Sequence, residues 1–564
     1  MIMKSCLKSS VFLAALIWAL NLNAQIPQWE WAVQAGGYTS ELSTSITCDS
    51  SGNSFITGYF TLNASFESTT ISSYGSEDIF IAKYDNEGAV QWAKHAGSRS
   101  GSQNEERGRS IALDPMGNAY ITGSFLSDAV FDTDTVHSNG TFDMFIAKYN
   151  GAGEVQWVKH GGGTNHDHGN AVAVDHDGNV YVTGTFKYDA YFDGDSLHAD
   201  WGGQEVFFLK YNPDGSLIWA KKFSGPYDPF STAICVDKQN NVYVTGGYSN
   251  QINFDGTYAM EYEEGNNRIY VVKFNDLGEF QWARQAGGIL NDYPTGIVTD
   301  GDGSVFITGH FFLTAHFEQD SITIMPSEDN NADIFVAKYN SDGSYQWVRQ
   351  IDPTSGTAKS ITIDDLGNAC IAGYFTDSLI VEDETHWSNN DADIFIAAFD
   401  NTGNYLWTKP VGGYGTLEQG TGICTDGKGG LYVTGSIHAE VYFTPADTLD
   451  TGGGDMIFIA KMSRDPVSIE HKDNVIGTFK LKQNYPNPFN PVTTIEYEIP
   501  RECQVNIAIY NILGKKMATI VSERKHAGVH SIRWQADGLS SGVYLYRIEI
   551  DGKIYQTRKL VLLK

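Results

Sequence analysis

The sequence predicts an all-β chain: a seven-bladed β-propeller closed by an N-terminal strand, followed by a C-terminal Ig-like β-sandwich. Three observations carry this. A repeat of 60 to 65 residues runs through most of the chain, the two ends of the repeat array complement each other, and residues 481–564 change in pattern and charge.

At 564 residues the chain exceeds what one hydrophobic core supports, so several domains or a repeat architecture are expected. The 59 glycines against 15 prolines, with 13% aromatics, point to many tight turns between packed strands rather than to disorder.

Residues 1–24 have the parts of an export signal. Lys4 and Lys8 precede an apolar stretch from Val11 to Leu20, and the small Ala24 stands before Gln25. That stretch is too short for the ~30 Å of a bilayer core, and no later one approaches ~20 apolar residues, so no transmembrane segment is expected. Cys6 leaves with the signal. The five others, Cys48, Cys235, Cys370, Cys424 and Cys503, are odd in number and scattered through strand-like runs, and they read as buried free thiols rather than a disulfide framework.

Residues 25–462 hold the repeats. A tryptophan strand recurs at Trp31, Trp92, Trp157, Trp219, Trp282, Trp347 and Trp407. A strand of the FITG or YVTG kind ends at Gly58, Gly123, Gly184, Gly246, Gly309, Gly373 and Gly435. A DIFIAKY-like strand starts at Asp78, Asp143, Glu205, Arg268, Asp333, Asp393 and Met456. In the second unit, a short run from Ser110 to Asp114 and a D-P-M-G-N turn lead to the alternating strand Ala119 to Phe125. A variable stretch follows, then Asp143 to Tyr149 and Val155 to His160. Four main strands per unit result.

The array begins at Trp31 with a tryptophan strand lacking its partner and ends at Met462 lacking a tryptophan strand. Joining the two completes a seventh blade, which suits a ring and serves no purpose in an open solenoid. The D-x-x-G-N segments read as hairpin turns. Asp300-Gly-Asp302-Gly looks most like a calcium loop, but no carboxylate stands at the twelfth position.

These landmarks, recurring in order over roughly residues 28–462, resemble the bacterial SBBP-type β-propeller repeat; the fourth unit departs with Asp237-Lys-Gln-Asn-Asn241 in its turn. The resemblance implies a fold and no particular activity.

Residues 463–480 are polar and unpatterned, as a linker should be. From 481 onward there are twelve Lys and Arg against seven Asp and Glu, which leaves 26 basic against 61 acidic residues in 1–480. Alternation in TTIEYEIP, QVNIAIYN, ATIVSE, HSIRW, GVYLYRIEI and IYQTRKLVLL predicts six or seven short strands of a small sandwich. NYPNPFNP, IYNILGKK, SSGVYLYRIEIDG and the terminal QTRKLVLLK resemble the type A C-terminal sorting domain of the type IX secretion system, over residues 481–564. That resemblance implies the type IX secretion machinery as partner, carriage across the outer membrane, and a secreted, extracellular or surface-attached location. It marks Gly542, Val543, Tyr544, Lys559 and Lys564 as parts of the sorting signal.

The residues carry no phosphate loop, G-x-S-x-G, H-E-x-x-H or C-x-x-C pattern, so neither catalytic residues nor a cofactor or metal are expected. His166-Asp-His168 comes nearest to a metal cluster and reads more simply as solvated polar residues. A unique site in a repeat protein should appear as a departure from the repeat, and departures fall at Arg99–Arg109, Thr164–Gly169 and Tyr258–Arg268. The acidic body excludes nucleic acid and anionic membranes as partners. Asp134-Thr-Val, Asp195-Ser-Leu, Asp320-Ser-Ile, Asp377-Ser-Leu and Asp447-Thr-Leu resemble the D-[ST]-aliphatic O-glycosylation site of bacteria that use this secretion system. Two functions are left: a surface or extracellular module binding a glycan or protein ligand, and a polysaccharide hydrolase on a propeller scaffold.

Overall fold

The computed structural model describes residues 26–563 apart from 38, 100–105, 257, 262–265, 319, 324–331, 414–416, 444–447, 465–478, 485, 500–502, 512–513, 526–527, 537 and 551. The signal-peptide segment, most of the linker and Lys564 thus lie outside the described residues. Every regular element among the described residues is a β-strand. The chain divides into two compact units, one reaching Phe443 and resuming at Asp447–Asp465, the other covering Pro466–Lys564 with residues 444–446.

The first unit is built from antiparallel four-strand groups. In the third repeat, His168–Val174 pairs with Val180–Lys187, which pairs with Gln204–Tyr211, which pairs with Leu217–Ser224. The inner strands are Leu42–Cys48, Arg107–Leu113, His168–Val174, Phe230–Val236, Tyr293–Thr299, the later part of Tyr345–Ile363, and Gln419–Thr425. Each lies beside the next, and Gln419–Thr425 lies beside Leu42–Cys48. At the other edge, Gln28–Ala35 pairs antiparallel with Thr448–Ser463, Trp31 opposite Lys461.

The variable stretch of each repeat folds as a further hairpin. Asp189–Phe192 pairs with Asp195–His198, and its Phe192 pairs back with Gly161 on the preceding tryptophan strand. The pairing of this segment was not legible in sequence, because its strands are short and the D-[ST]-aliphatic motif that starts the second of them in several repeats does not by itself mark a hairpin.

One sequence expectation is corrected. Cys48 and Cys424 form a disulfide, with Cα atoms 6.1 Å apart across 376 residues of sequence. They sit on the first and last inner strands, which the fold sets side by side, so their separation along the chain concealed the pairing. Cys235, Cys370 and Cys503 are not disulfide-bonded.

The second unit has two antiparallel sheets, one joining Lys480–Leu481, Val492–Ile499 and Gly528–Gln535, the other Lys516–Lys525, Cys503–Asn511, Gly542–Ile550 and Lys553–Leu562. Ile495 and Tyr497 of the first sheet share one buried core with Val505, Ile507, Tyr546 and Ile548 of the second.

Candidate functional site

Most recurring residues are accounted for by contacts between repeats. The indole N–H of Trp31 donates to the Asn86 carbonyl at 3.0 Å, that of Trp92 to Gly151 at 3.1 Å and that of Trp157 to Pro213 at 3.1 Å, each on the following repeat's turn. In the YVTG strand the threonine hydroxyl donates to a carbonyl of the next strand, as Thr122 does to Phe145 at 2.6 Å and Thr245 to Tyr270 at 2.8 Å. The glycine after it passes under a bulge in the inner strand: a Cβ on Gly184 would stand 1.9 Å from the His168 carbonyl oxygen, and one on Gly246 1.9 Å from that of Phe230. No side chain larger than hydrogen fits there.

The turn aspartates are equally committed. Asp114 Oδ1 accepts the N–H groups of Met116 and Asn118 at 2.9 Å, while Oδ2 accepts the Asn118 amide at 2.7 Å and the Tyr120 hydroxyl at 3.1 Å. Asp300 closes its turn the same way onto Asp302 and Ser304, both at 2.9 Å. Among the described residues no three His, Cys, Asp or Glu side chains gather as a metal-binding group.

Acidic pairs mark several junctions between repeats. The Glu106 N–H donates to the Glu77 carbonyl at 3.1 Å, which sets Glu106 beside Asp78; Asp167 and Phe142, at 2.7 Å, do the same for Asp143, and Glu418 and Ala392, at 3.2 Å, for Asp393. Burial, and then the Asp78 charge, pushes the Glu106 carboxyl up to about 8. Burial and the Asp393 charge likewise raise Glu418. At another junction Arg268 stands where these pairs have an aspartate, and Asp292 faces it instead.

The loops at the third and fourth repeats depart most visibly from this plan. The Tyr188 N–H donates to the Gly203 carbonyl at 3.3 Å, and the Gln204 N–H to Asp228 Oδ1 at 2.8 Å, tying together the loops that carry Tyr188, Trp201 and Tyr227. All three aromatics are exposed, Trp201 at 58% and Tyr227 at 59%, although rings of this size are ordinarily buried. The Gln204 side-chain amide donates to the Pro229 carbonyl at 3.3 Å, a second tie between the same two loops. Sequence reasoning missed this cluster because aromatic residues are abundant in every strand.

The departures seen in sequence fare differently. Residues 100–105 and 262–265 lie outside the described residues. In Thr164–Gly169, His166 stacks on Phe142 at 5.5 Å between ring centres, His168 lies tilted to the same ring at 5.7 Å, and the buried Asp167 accepts the N–H groups of Gly163 at 2.7 Å and Lys187 at 3.0 Å. The Asp134, Asp195 and Asp320 motifs start the second strand of their hairpins, with Thr135, Ser196 and Ser321 exposed. Asp377 differs, since Ser378 is half-buried and shares a 2.8 Å hydrogen bond with Thr354; Asp447 lies outside the described residues.

In the second unit, Gly542, Val543 and Tyr544 pair with Leu562, Val561 and Leu560 on the last strand, and Lys559 pairs with Leu545. Val543 and Lys559 are exposed, whereas Tyr544 is buried and its hydroxyl donates to the Ser540 carbonyl at 2.9 Å. The NYPNPFNP segment joins the same strand: the Val561 N–H donates to Asn487 Oδ1 at 2.8 Å, and the Phe489 N–H to the Val561 carbonyl at 3.0 Å. The Tyr546 hydroxyl donates to the Lys482 carbonyl at 2.7 Å and accepts the Asn484 N–H at 2.8 Å.

Residues 483–563 match the family model described as a secretion system C-terminal sorting domain, and residues 281–310 match that of a β-propeller repeat. An uncharacterised WD repeat-containing protein of Acanthamoeba polyphaga mimivirus is 24% identical over 430 residues, 62% of this chain and 30% of that protein. The regulatory protein FlaEY of Caulobacter vibrioides is 28% identical over 218 residues, 37% of this chain and 22% of that protein. The chain thus spans less than a third of either relative's length. Among solved structures, the Pan2 WD40 domain of Neurospora crassa aligns at 9% identity and TM-score 0.38, covering 76% of this chain and 91% of that one. PorZ, a surface component of the type IX secretion system of Porphyromonas gingivalis, aligns at 11% and 0.20, covering 93% and 81%. Likenesses this slight say nothing of function. The sorting-domain match places the protein at the cell surface or in the extracellular space, and residues 281–310 carry a β-propeller repeat.

Proposed function

We propose that the first unit is a closed seven-bladed propeller that binds an extracellular saccharide, and that the second is an Ig-like sandwich acting as its sorting signal. The domains on this reading are a signal peptide at 1–24, the propeller at 25–462, a linker at 463–480 and the sorting domain at 481–564. Ring closure is supported by the contact between the first and last inner strands and by the pairing of Gln28–Ala35 with Thr448–Ser463. Binding rather than hydrolysis is supported chiefly by one observation, the exposed Tyr188, Trp201 and Tyr227 on loops held together by the Asp228 carboxylate. Flat rings offer apolar faces to sugar rings while Gln204 and Asp228 supply hydrogen bonds at their edges.

A panel of polysaccharides scored for both binding and product release tests this. Trp201→Ala with Tyr227→Ala is expected to weaken binding at least tenfold without unfolding the protein. Product formation abolished by Asp228→Asn would replace binding with hydrolysis. For the sorting signal, the exposed Gly542, Val543 and Lys559 are read by the secretion machinery, with the buried Tyr544 holding their strand in place and Lys564, outside the described residues, following on. For modification, the exposed Thr135, Ser196 and Ser321 are the acceptors, and mass spectrometry of the exported protein is expected to find them glycosylated while Ser378 is not.

A further inference from the structure

Every inner strand carries a β-bulge, and the bulge residues are Thr44, Arg109, Asn170, Thr232, Thr295, Lys359 and Thr421. The neutral ones commonly bond to the following repeat. Thr44 donates to the Gly108 carbonyl at 2.8 Å, Asn170 to that of Ser231 at 3.0 Å, and Thr295 to that of Ala358 at 2.8 Å. Arg109 and Lys359 break this pattern with two positive charges.

Among the described residues neither charge has an ion-pair partner. Arg109 reaches Asn170 Oδ1 only at 3.4 Å, and its Nε is buried without a hydrogen-bond partner among the described residues. Lys359 lies 5.6 Å from the centre of the Tyr374 ring, and burial alone depresses its pKa. His168 adjoins Arg109: burial first, then the charges of Arg109 and His166, hold its imidazole down to about 4. The His168 Nδ1 is likewise buried and unpartnered among the described residues. A partly buried cation without a counter-charge is costly, and this one stands in a body with 61 acidic residues against 26 basic within 1–480, none of which is spent on it among the described residues.

We infer that Arg109 and His168 form a binding corner for a small oxyanion, a carboxylate, phosphate or sulfate group. A guanidinium offers two parallel N–H donors that match such a group, and His168 Nδ1–H supplies a third. The same geometry argues against His166-Asp167-His168 as metal ligands. Asp167 is committed to two backbone N–H groups, and the Arg109 charge repels a cation from His168. Lys359 stands on another inner strand, over the Tyr374 ring, and is no part of this corner.

The test titrates the full exported chain with sodium sulfate, sodium phosphate and sodium glucuronate against sodium chloride at matched ionic strength, following heat of binding and the unfolding midpoint. Sulfate, phosphate or glucuronate is expected to bind and raise the midpoint. Arg109→Gln should lose at least tenfold in affinity, and Lys359→Gln and the exposed Lys428→Gln nothing. Arg109→Lys should recover part of the loss. Binding of glucuronate alone identifies an acidic sugar as the source, and binding of the inorganic ions a free anion; both support the site. No binding by any of the three, or equal binding by wild type and Arg109→Gln, overturns it. Peptide mapping of the Cys48–Cys424 bridge in the same sample reports separately on the ring. With the bridge intact and no binding, the anion site fails and the ring stands.

Discussion

The two units use their sequences in opposite ways. In the repeat body one task is done over and over: Trp31, Trp92 and Trp157 each cap the next turn, and Gly184 and Gly246 each clear a bulge. In the C-terminal unit every tie is made once, as when Asn487 and Phe489 grip Val561 or Tyr546 joins Lys482 to Asn484. Charge divides along the same line, strongly acidic before residue 481 and basic after it. A residue repeated in every unit is explained by architecture, so function in the body must be sought where the repeat fails. In the tail there is no repeat to subtract, and structural and signalling roles fall on the same residues.

The contrast can be broken most severely by removing residues 481–564. Export should be abolished, with the body retained in the periplasm and still folded, as read by fractionation and circular dichroism. Next in size is Trp157→Ala, which loses the packing against Gly215 and the bond to Pro213; a cost of ~3–5 kcal/mol is expected from chemical denaturation. Trp92→Ala, which loses the matching bond to Gly151, should cost about the same, whereas no second site in the tail should mimic loss of Tyr546. Replacing Cys48 and Cys424 together by serine should cost ~2–4 kcal/mol and leave the tail unaffected. The smallest effect concerns pH. Because folding raises the Glu106 pKa to about 8, stability falls as pH climbs from about 4.5 towards 8, the window in which the unfolded chain has already lost that proton. Glu106→Gln should flatten that slope and add ~1–3 kcal/mol at pH 8, measured by denaturation at a series of pH values.

Much of this was legible in sequence because periodicity exposes shared roles. The YVTG glycines, the tryptophans and the D-x-x-G-N turns recur, and each proves to have one physical task. What escaped depends on three-dimensional closeness or on register. Cys48 and Cys424 are neighbours only because the first and last inner strands meet. Arg109 and Lys359 gain meaning only once the bulges between Gly108 and Ser110 and between Ala358 and Ser360 are seen. Trp201 and Tyr227 look like core aromatics until their exposure is known. The sorting motif was legible through resemblance, but the grip of Asn487 on the last strand was not.

The central claim is that the body is a ring whose last blade is completed by its first strand. Hydrogen–deuterium exchange of the exported protein measures this directly at residues 28–35. Their amides should exchange as slowly as those of the YVTG strands, and replacing Ile459 by proline should release both Gln28–Ala35 and Thr448–Ser463 together. Exchange of residues 28–35 within seconds, with residues 457–463 still protected, would contradict the ring.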